Sequence, residues 1–212
     1  MRTQEQVKTI VRRLEEEYPL ADCTLDYKKD YELLFSVRLA AQCTDARVNM
    51  ITPALFERFP TLLSFAEADE AEVGEYIRSC GFYNSKARDI VAAAKMLISD
   101  YGGVVPDTME ELLKLPGVGR KTANLILGDV YGVPGSTVVD THCIRISNRL
   151  GLVDDLKEPE KIERELRKVL PPEKSSDFCH RIVLHGRAVC TARKPNCEGC
   201  CLRDVCQFFE RS

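Results

Sequence analysis

Leu115-Pro116-Gly117-Val118-Gly119-Arg120-Lys121 lies between two runs with helical spacing and leaves the backbone few options. The run from Met109 to Leu115 meets Pro116, which has no backbone donor and disfavours α geometry in the residue before it. Gly117 and Gly119 open backbone angles closed to other residues and leave the main chain bare. A second helix starts at once through Thr122-Ala123-Asn124-Leu125-Ile126-Leu127, so the stretch predicts two helices joined by a tight hairpin. The unpaired N–H groups opening that second helix point out of the tip and make an anion site from backbone alone. A phosphate in a nucleic-acid chain suits such a site better than a base does. A plain interhelical turn is the simpler reading of Pro-Gly-Val-Gly. Lys121 stands in the first turn, where a cation opposes the helix dipole. A solvated surface lysine is the ordinary state of that residue.

Elsewhere the chain keeps to the helical period. Val7, Ile10, Val11 and Leu14 make one apolar face of a first helix that ends before Pro19. Tyr31 to Ala41 reads as a buried helix, and Val48, Ile51, Leu55 and Phe59 repeat the period up to Pro60. Further segments follow near 62–65, 71–79 and 86–100. The best linker is Tyr131 to Ser136, rich in glycine and proline. Beyond it, Asp140 is placed to cap a helix ending near Gly151. Ile162, Leu166, Val169 and Leu170 mark another helix, and Ser176 or Asp177 starts one more, through His185. Hardly any stretch alternates with period two, so the predicted fold class is all-α.

The 212 residues suffice for one large domain or two small ones. A formal net charge of −3 excludes a globally basic nucleic-acid binder, although binding depends on where charge sits rather than on its sum. No apolar run approaches the roughly 18 residues of a membrane span. The charged, amphipathic N-terminus is no signal peptide, so ten cysteines are expected as thiols in a reduced cytoplasm rather than as a disulfide framework.

Cys190, Cys197, Cys200 and Cys206 make the pattern C-x6-C-x2-C-x5-C. Four thiolates packed this closely repel and oxidise unless a metal holds them. Zinc and a [4Fe–4S] cluster both accept four cysteines. Zinc ribbons usually carry two C-x2-C knuckles, whereas this tail has one, with wider gaps on either side that suit the corners of a cuboidal cluster. Cys201 is an extra thiol next to the third candidate ligand. Cys23, Cys43, Cys80, Cys143 and Cys179 sit in helical context and read as core filler. From Arg181 to Cys206, five basic residues (Arg181, Arg187, Arg193, Lys194, Arg203) face two acidic ones, Glu198 and Asp204. A metal-pinned loop that gathers positive charge is suited to phosphate, and a solvated face is the plainer alternative.

Three motifs in order, Leu-Pro-Gly-Val-Gly-Arg-Lys-Thr-Ala, Val139-Asp140-Thr141-His142 and the cysteine tail, resemble the endonuclease III family of helix-hairpin-helix DNA glycosylases. The likeness runs from about Tyr31 to Phe208. It implies a six-helix domain over residues 21–133, with the hairpin at about 109–131, and an iron–sulfur domain built from 1–20 plus 134–212. It also implies a DNA-binding cleft between the two. The implied cofactor is a [4Fe–4S] cluster on Cys190, Cys197, Cys200 and Cys206. The implied partner is double-stranded DNA with damaged bases or abasic sites, with no membrane role and a monomeric chain.

The same resemblance implies a bifunctional glycosylase and abasic-site lyase for oxidised pyrimidines in base excision repair. Lys121 would attack C1′ of the damaged nucleotide, displace the base and leave a covalent iminium, after which β-elimination nicks the strand. Helix-end geometry and partial desolvation would favour its neutral amine. Asp140 would stabilise positive charge on the sugar and help deprotonate the amine, beyond its plain role as a cap. A base leaves the stack only if its place is filled. The family gives that filling role to the positions of Gln42 and Phe82. Relatives often carry a smaller aliphatic at the second, and without the family Phe82 reads as core. Asp45 and His142 are expected to line the pocket. Gly117, Val118, Gly119 and Arg120 of the hairpin, with Arg193 and Lys194 of the tail, are expected to contact DNA. A monofunctional adenine or mismatch-thymine glycosylase is the nearest alternative, and Lys121 argues against it. A non-catalytic iron–sulfur DNA-binding protein is the alternative from another class.

Overall fold

The computed structural model describes residues 2–210. Its regular elements are all helical, with no strand among the described residues. No helix among them is long and apolar enough to cross a membrane. Two compact units emerge, one of Thr24–Tyr131 and one of Met1–Cys23 with Gly132–Ser212.

The first unit holds α2 (Asp30–Ala40), α3 (Asp45–Arg58), α4 (Leu62–Ala66), α5 (Glu70–Ile77), α6 (Tyr83–Tyr101), α7 (Met109–Leu112) and α8 (Arg120–Asp129). Polar residues cap several of these starts: Thr44 accepts from the Arg47 amide, and Asp69 from those of Ala71 and Glu72. α2 is apolar nearly all round, and Leu33, Leu34, Phe35 and Leu39 are buried. α6 packs against α4 and α5, and its Ala87, Ile90, Val91, Ala94 and Leu97 fill the centre. Phe35, Phe59 and Phe65 meet in an aromatic cluster, with Phe35 and Phe65 edge to face at 5.0 Å. α7 is shorter than the spacing predicts. Past Leu112 the chain tightens into three-residue turns, Lys114 N–H to Glu111 and Leu115 N–H to Leu112, before Pro116.

In the second unit, α1 (Gln4–Glu17) buries Val7, Ile10, Val11 and Leu14 and packs on α11 (Ser175–Ala188), which packs on α9 (Thr141–Leu150). Four such side chains contribute about 1.5–3 kcal/mol each on burial. Arg2 fastens the start of the chain to the end of α9 through the carbonyls of Leu150 and Gly151. α10 (Pro159–Val169) buries Ile162 and Leu166. α11 begins at Ser175 because the 3-10 turn Pro172–Lys174 runs straight into it without a side-chain cap. After α11 come the cysteine loop, a 3-10 turn at Arg203–Val205 and a last short helix, α12 (Gln207–Glu210).

Candidate nucleic-acid interface and metal centre

At the hairpin, Gly117 has φ +74°. A Cβ there would also stand 2.7 Å from Arg38 Nε and 3.0 Å from Asp89 Cβ, so glycine is required by both conformation and space. Arg38 on α2 donates to Asp89 on α6 from both Nε (2.9 Å) and Nη2 (2.7 Å), and this half-buried pair supports the tip from behind. Gly119 is the N-cap of α8 and offers no side chain to cap the first turn, which opens directly at the hairpin tip. The Val118 amide is committed to closing the turn onto Leu115 O. Lys121 is the second residue of α8 and is exposed. The desolvation expected of it is therefore absent in the protein alone, and any drying has to come with the molecule that covers it.

Gln42 and Phe82 share a feature no sequence pattern announced. Both adopt left-handed backbone, with φ +57° and +48°, and Asp155 is the other non-glycine residue to do so among those described. Each such residue costs on the order of 1–3 kcal/mol and persists only where its surroundings impose it. Phe82 is 69% exposed, which overturns the reading of it as core. Gln42 is exposed as well. Between their loops lies Lys86 on α6, only 1% exposed, donating 2.8 Å hydrogen bonds to Leu39 O and to Cys80 O. Burial lowers the Lys86 pKa and raises that of the neighbouring Cys80 thiol to about 11. Asp45, at the start of α3, accepts a 2.6 Å bond from Thr24 Oγ1.

In the other unit Asp140 does cap α9, accepting from the Cys143 amide at 2.7 Å. Two arginines on that helix hold the cysteine loop. Arg145 donates to the carbonyls of Cys190 and Gly186, and Arg149 to those of Thr191 and Ala192 and to Cys190 Sγ. His142 stands 3.1 Å from Arg145 Nη2 and against Gly186, where a Cβ would collide with its ring. Within the loop, Asn196 N–H bonds Val189 O and Thr191 Oγ1 bonds Lys194 O, leaving Arg193 and Lys194 exposed. The positive surplus counted along the sequence is smaller at the surface. Arg181 is buried and reaches Asp177 and Glu15, and Arg203 pairs with Glu198 at 2.7 Å.

Cys190, Cys197, Cys200 and Cys206 line one cavity, walled by Ile146, Leu150 and Phe208. No three His, Cys, Asp or Glu side chains among the described residues gather closely enough to hold a single ion. Four soft donors spread around an apolar-walled space fit the corners of a cluster better than one tetrahedral ion. Cys201 lies outside that lining. Interaction with the Cys201 side chain, together with burial, pushes the Cys200 thiol up to about 12. His185, at the end of α11, connects Tyr18 (3.1 Å) with Cys200 Sγ (3.5 Å).

The structure thus gathers the hairpin residues at one tip and the four cysteines around one cavity, and one buried lysine bonds the segments that precede Gln42 and Phe82. Lys121 and Asp140 stand in different units. Lys86, Arg145 and Arg149 escaped the sequence reading.

Residues 35–172 match the family of HhH-GPD superfamily base excision DNA repair proteins, and residues 190–206 the iron-sulfur binding domain of endonuclease III. The chain is 46% identical to the endonuclease III of Synechocystis sp. over 92% of its own length and 89% of that protein's. It is 40% identical to the Escherichia coli enzyme, with 95% of each chain covered. Among solved structures, a trapped endonuclease III–DNA covalent intermediate superposes with a TM-score of 0.92 at 40% identity, covering 100% of this chain and 99% of that one. A thermostable thymine-DNA glycosylase, 23% identical with a TM-score of 0.87 and covering 98% of each chain, shares the fold.

Proposed function

The chain belongs to the endonuclease III family of base-excision DNA repair proteins, and from that premise we propose that it removes oxidised pyrimidines from duplex DNA and then cleaves the abasic strand. The observation that carries the reading is Lys121, an exposed amine in the first turn of a helix whose N-terminus suits a backbone phosphate. With a phosphate seated there, the amine attacks C1′ of the damaged nucleotide. The C1′–N bond breaks, the base leaves with its electron pair, and the amine's surplus proton is lost. Breaking the C1′–O4′ bond, with O4′ taking up a proton, gives an iminium between Nζ and C1′, and its acidified C2′ proton passes to water as the 3′ phosphate departs with the C3′–O electron pair by β-elimination. Asp140, at the start of α9, stabilises positive charge on the sugar and assists deprotonation of the amine. Gln42 and Phe82 fill the space left by the displaced nucleotide. The glutamine amide both donates and accepts, which suits an orphaned base.

The cofactor is an iron–sulfur cluster, [4Fe–4S] by its four thiolates, which Cys190, Cys197, Cys200 and Cys206 hold. When bound it supplies a rigid anchor. Arg145 and Arg149 fix the same loop from α9, so Arg193 and Lys194 are presented outward. Replacing both by alanine is expected to weaken lesion-bearing and undamaged duplex alike. The log–log salt slope should flatten by roughly 1 to 2 units, since each phosphate contact contributes about 0.9 on B-DNA. An unchanged slope would make them solvent-facing residues only.

Incubation with a thymine-glycol duplex tests the whole reading. A covalent protein–DNA adduct is expected with borohydride, and a nicked strand without it. Base release with no adduct would indicate a monofunctional enzyme, and no release would remove the activity.

A further inference from the structure

One buried charge is left unused by this chemistry. Lys86 is a fully buried lysine whose ammonium meets two main-chain carbonyls from different elements. Leu39 lies in the last turn of α2, and its carbonyl has no helical partner, because the Cys43 amide that would take it bonds Ala40 instead. Cys80 ends the 3-10 turn before Gly81, where the chain turns again with φ +68°. Gln42 follows the first carbonyl by three residues and Phe82 the second by two. Lys86 also donates its own amide to Phe82 O at 3.1 Å. One turn further along α6, the Arg38–Asp89 pair joins the same two helices behind the hairpin tip.

We infer that Lys86 is a positioning residue: its ammonium clamps the ends of α2 and of the Arg78–Cys80 turn, and so holds the left-handed backbones of Gln42 and Phe82 ready to enter the helix of a distorted duplex. The inference rests on the reading of these two residues as the ones that fill the vacated space. A left-handed residue that is not held relaxes to an ordinary conformation in free protein, and binding must then restore it. Pre-organisation is therefore the predicted contribution, and contact with DNA is not. Two features separate this from general core support. The bonded carbonyls both belong to the segments carrying the exposed residues, and no apolar side chain could replace the donors.

The test compares the single variants Lys86→Met, Gln42→Ala and Phe82→Ala and the double variant Lys86→Met with Phe82→Ala, by binding to a duplex with a tetrahydrofuran abasic-site analogue and to the undamaged duplex. Lys86→Met is expected to lower affinity for the analogue about tenfold, equivalent to about 1.4 kcal/mol, while undamaged duplex binds as before. Phe82→Ala should cost much less in the Lys86→Met background than alone, because residues sharing one device are not additive. Wild-type preference for the analogue in Lys86→Met, with Gln42→Ala and Phe82→Ala both weakened, overturns the clamp. Wild-type preference in Gln42→Ala and Phe82→Ala overturns the filling role itself. Circular dichroism and iron content establish folding. If Lys86→Met does not fold, Lys86→Gln, which reaches one carbonyl at most, carries the same expectation and the same refutation. Unfolding of both would make Lys86 a requirement of the whole unit and would also overturn the proposal.

Discussion

Lys121→Gln is expected to abolish borohydride trapping and to slow strand cleavage by about a thousandfold or more, as loss of a covalent nucleophile does. Glutamine keeps most of the side-chain length and favours helix, but its amide nitrogen has no available lone pair. Lys121 is exposed, so the change removes no packing. It also removes a cation from the positive end of α8, a gain of about 0.3–1 kcal/mol. Thermal stability should therefore hold or rise, and duplex binding should stay largely intact, because the hairpin amides are untouched. The measurements are adduct yield on a lesion duplex, a binding isotherm and a melting curve. Trapping at wild-type yield would assign the chemistry to another amine.

The second large effect concerns the adjacent thiols. Cys200→Ser should lose the brown colour and most of its iron, whereas Cys201→Ser should keep nearly all. Proton chemistry alone points the other way, since interaction between the two side chains raises Cys200 and lowers Cys201. A coordinating metal, however, deprotonates a thiol outright, so position decides. Cys200 lines the cavity with the other three cysteines and Cys201 does not. Loss of a structural metal is also loss of folding free energy, so Cys200→Ser should melt earlier and lose the order of the loop that Arg145 and Arg149 hold. Iron and sulfide assays on both purified variants decide the assignment. The reverse pattern would move the ligand to Cys201, and stoichiometric zinc in the wild type would remove the cluster.

What the sequence disclosed was local. Val7 to Leu14 gave α1, the glycines gave the hairpin, and Asp140 ahead of an apolar stripe gave a cap. What it hid depends on contacts far along the chain. A lysine inside a helical pattern reads as a solvent-facing residue, and nothing near Lys86 signals a carbonyl 47 residues away. Arg145 and Arg149 likewise reach 41 to 45 residues ahead. Counting charges failed in the same way, because Arg181 turns inward. Phe82 could not be placed by hydrophobicity, since its exposure follows from a backbone conformation that composition does not encode.

The pairing of α1 with α11 also sets an order of events during synthesis. The Tyr18–His185 bond spans 167 positions, so the ribosome completes all of Thr24–Tyr131 before the partner of α1 exists. At 5–20 residues per second, the wait is roughly 10–30 seconds. Throughout it, Val7, Ile10, Val11 and Leu14 have no core to enter, and Cys190 and its three companions have not been made. The internal unit can be finished on the nascent chain, while the other closes around its metal only once Cys206 has been made, and the earliest-made helix is the last to find its place.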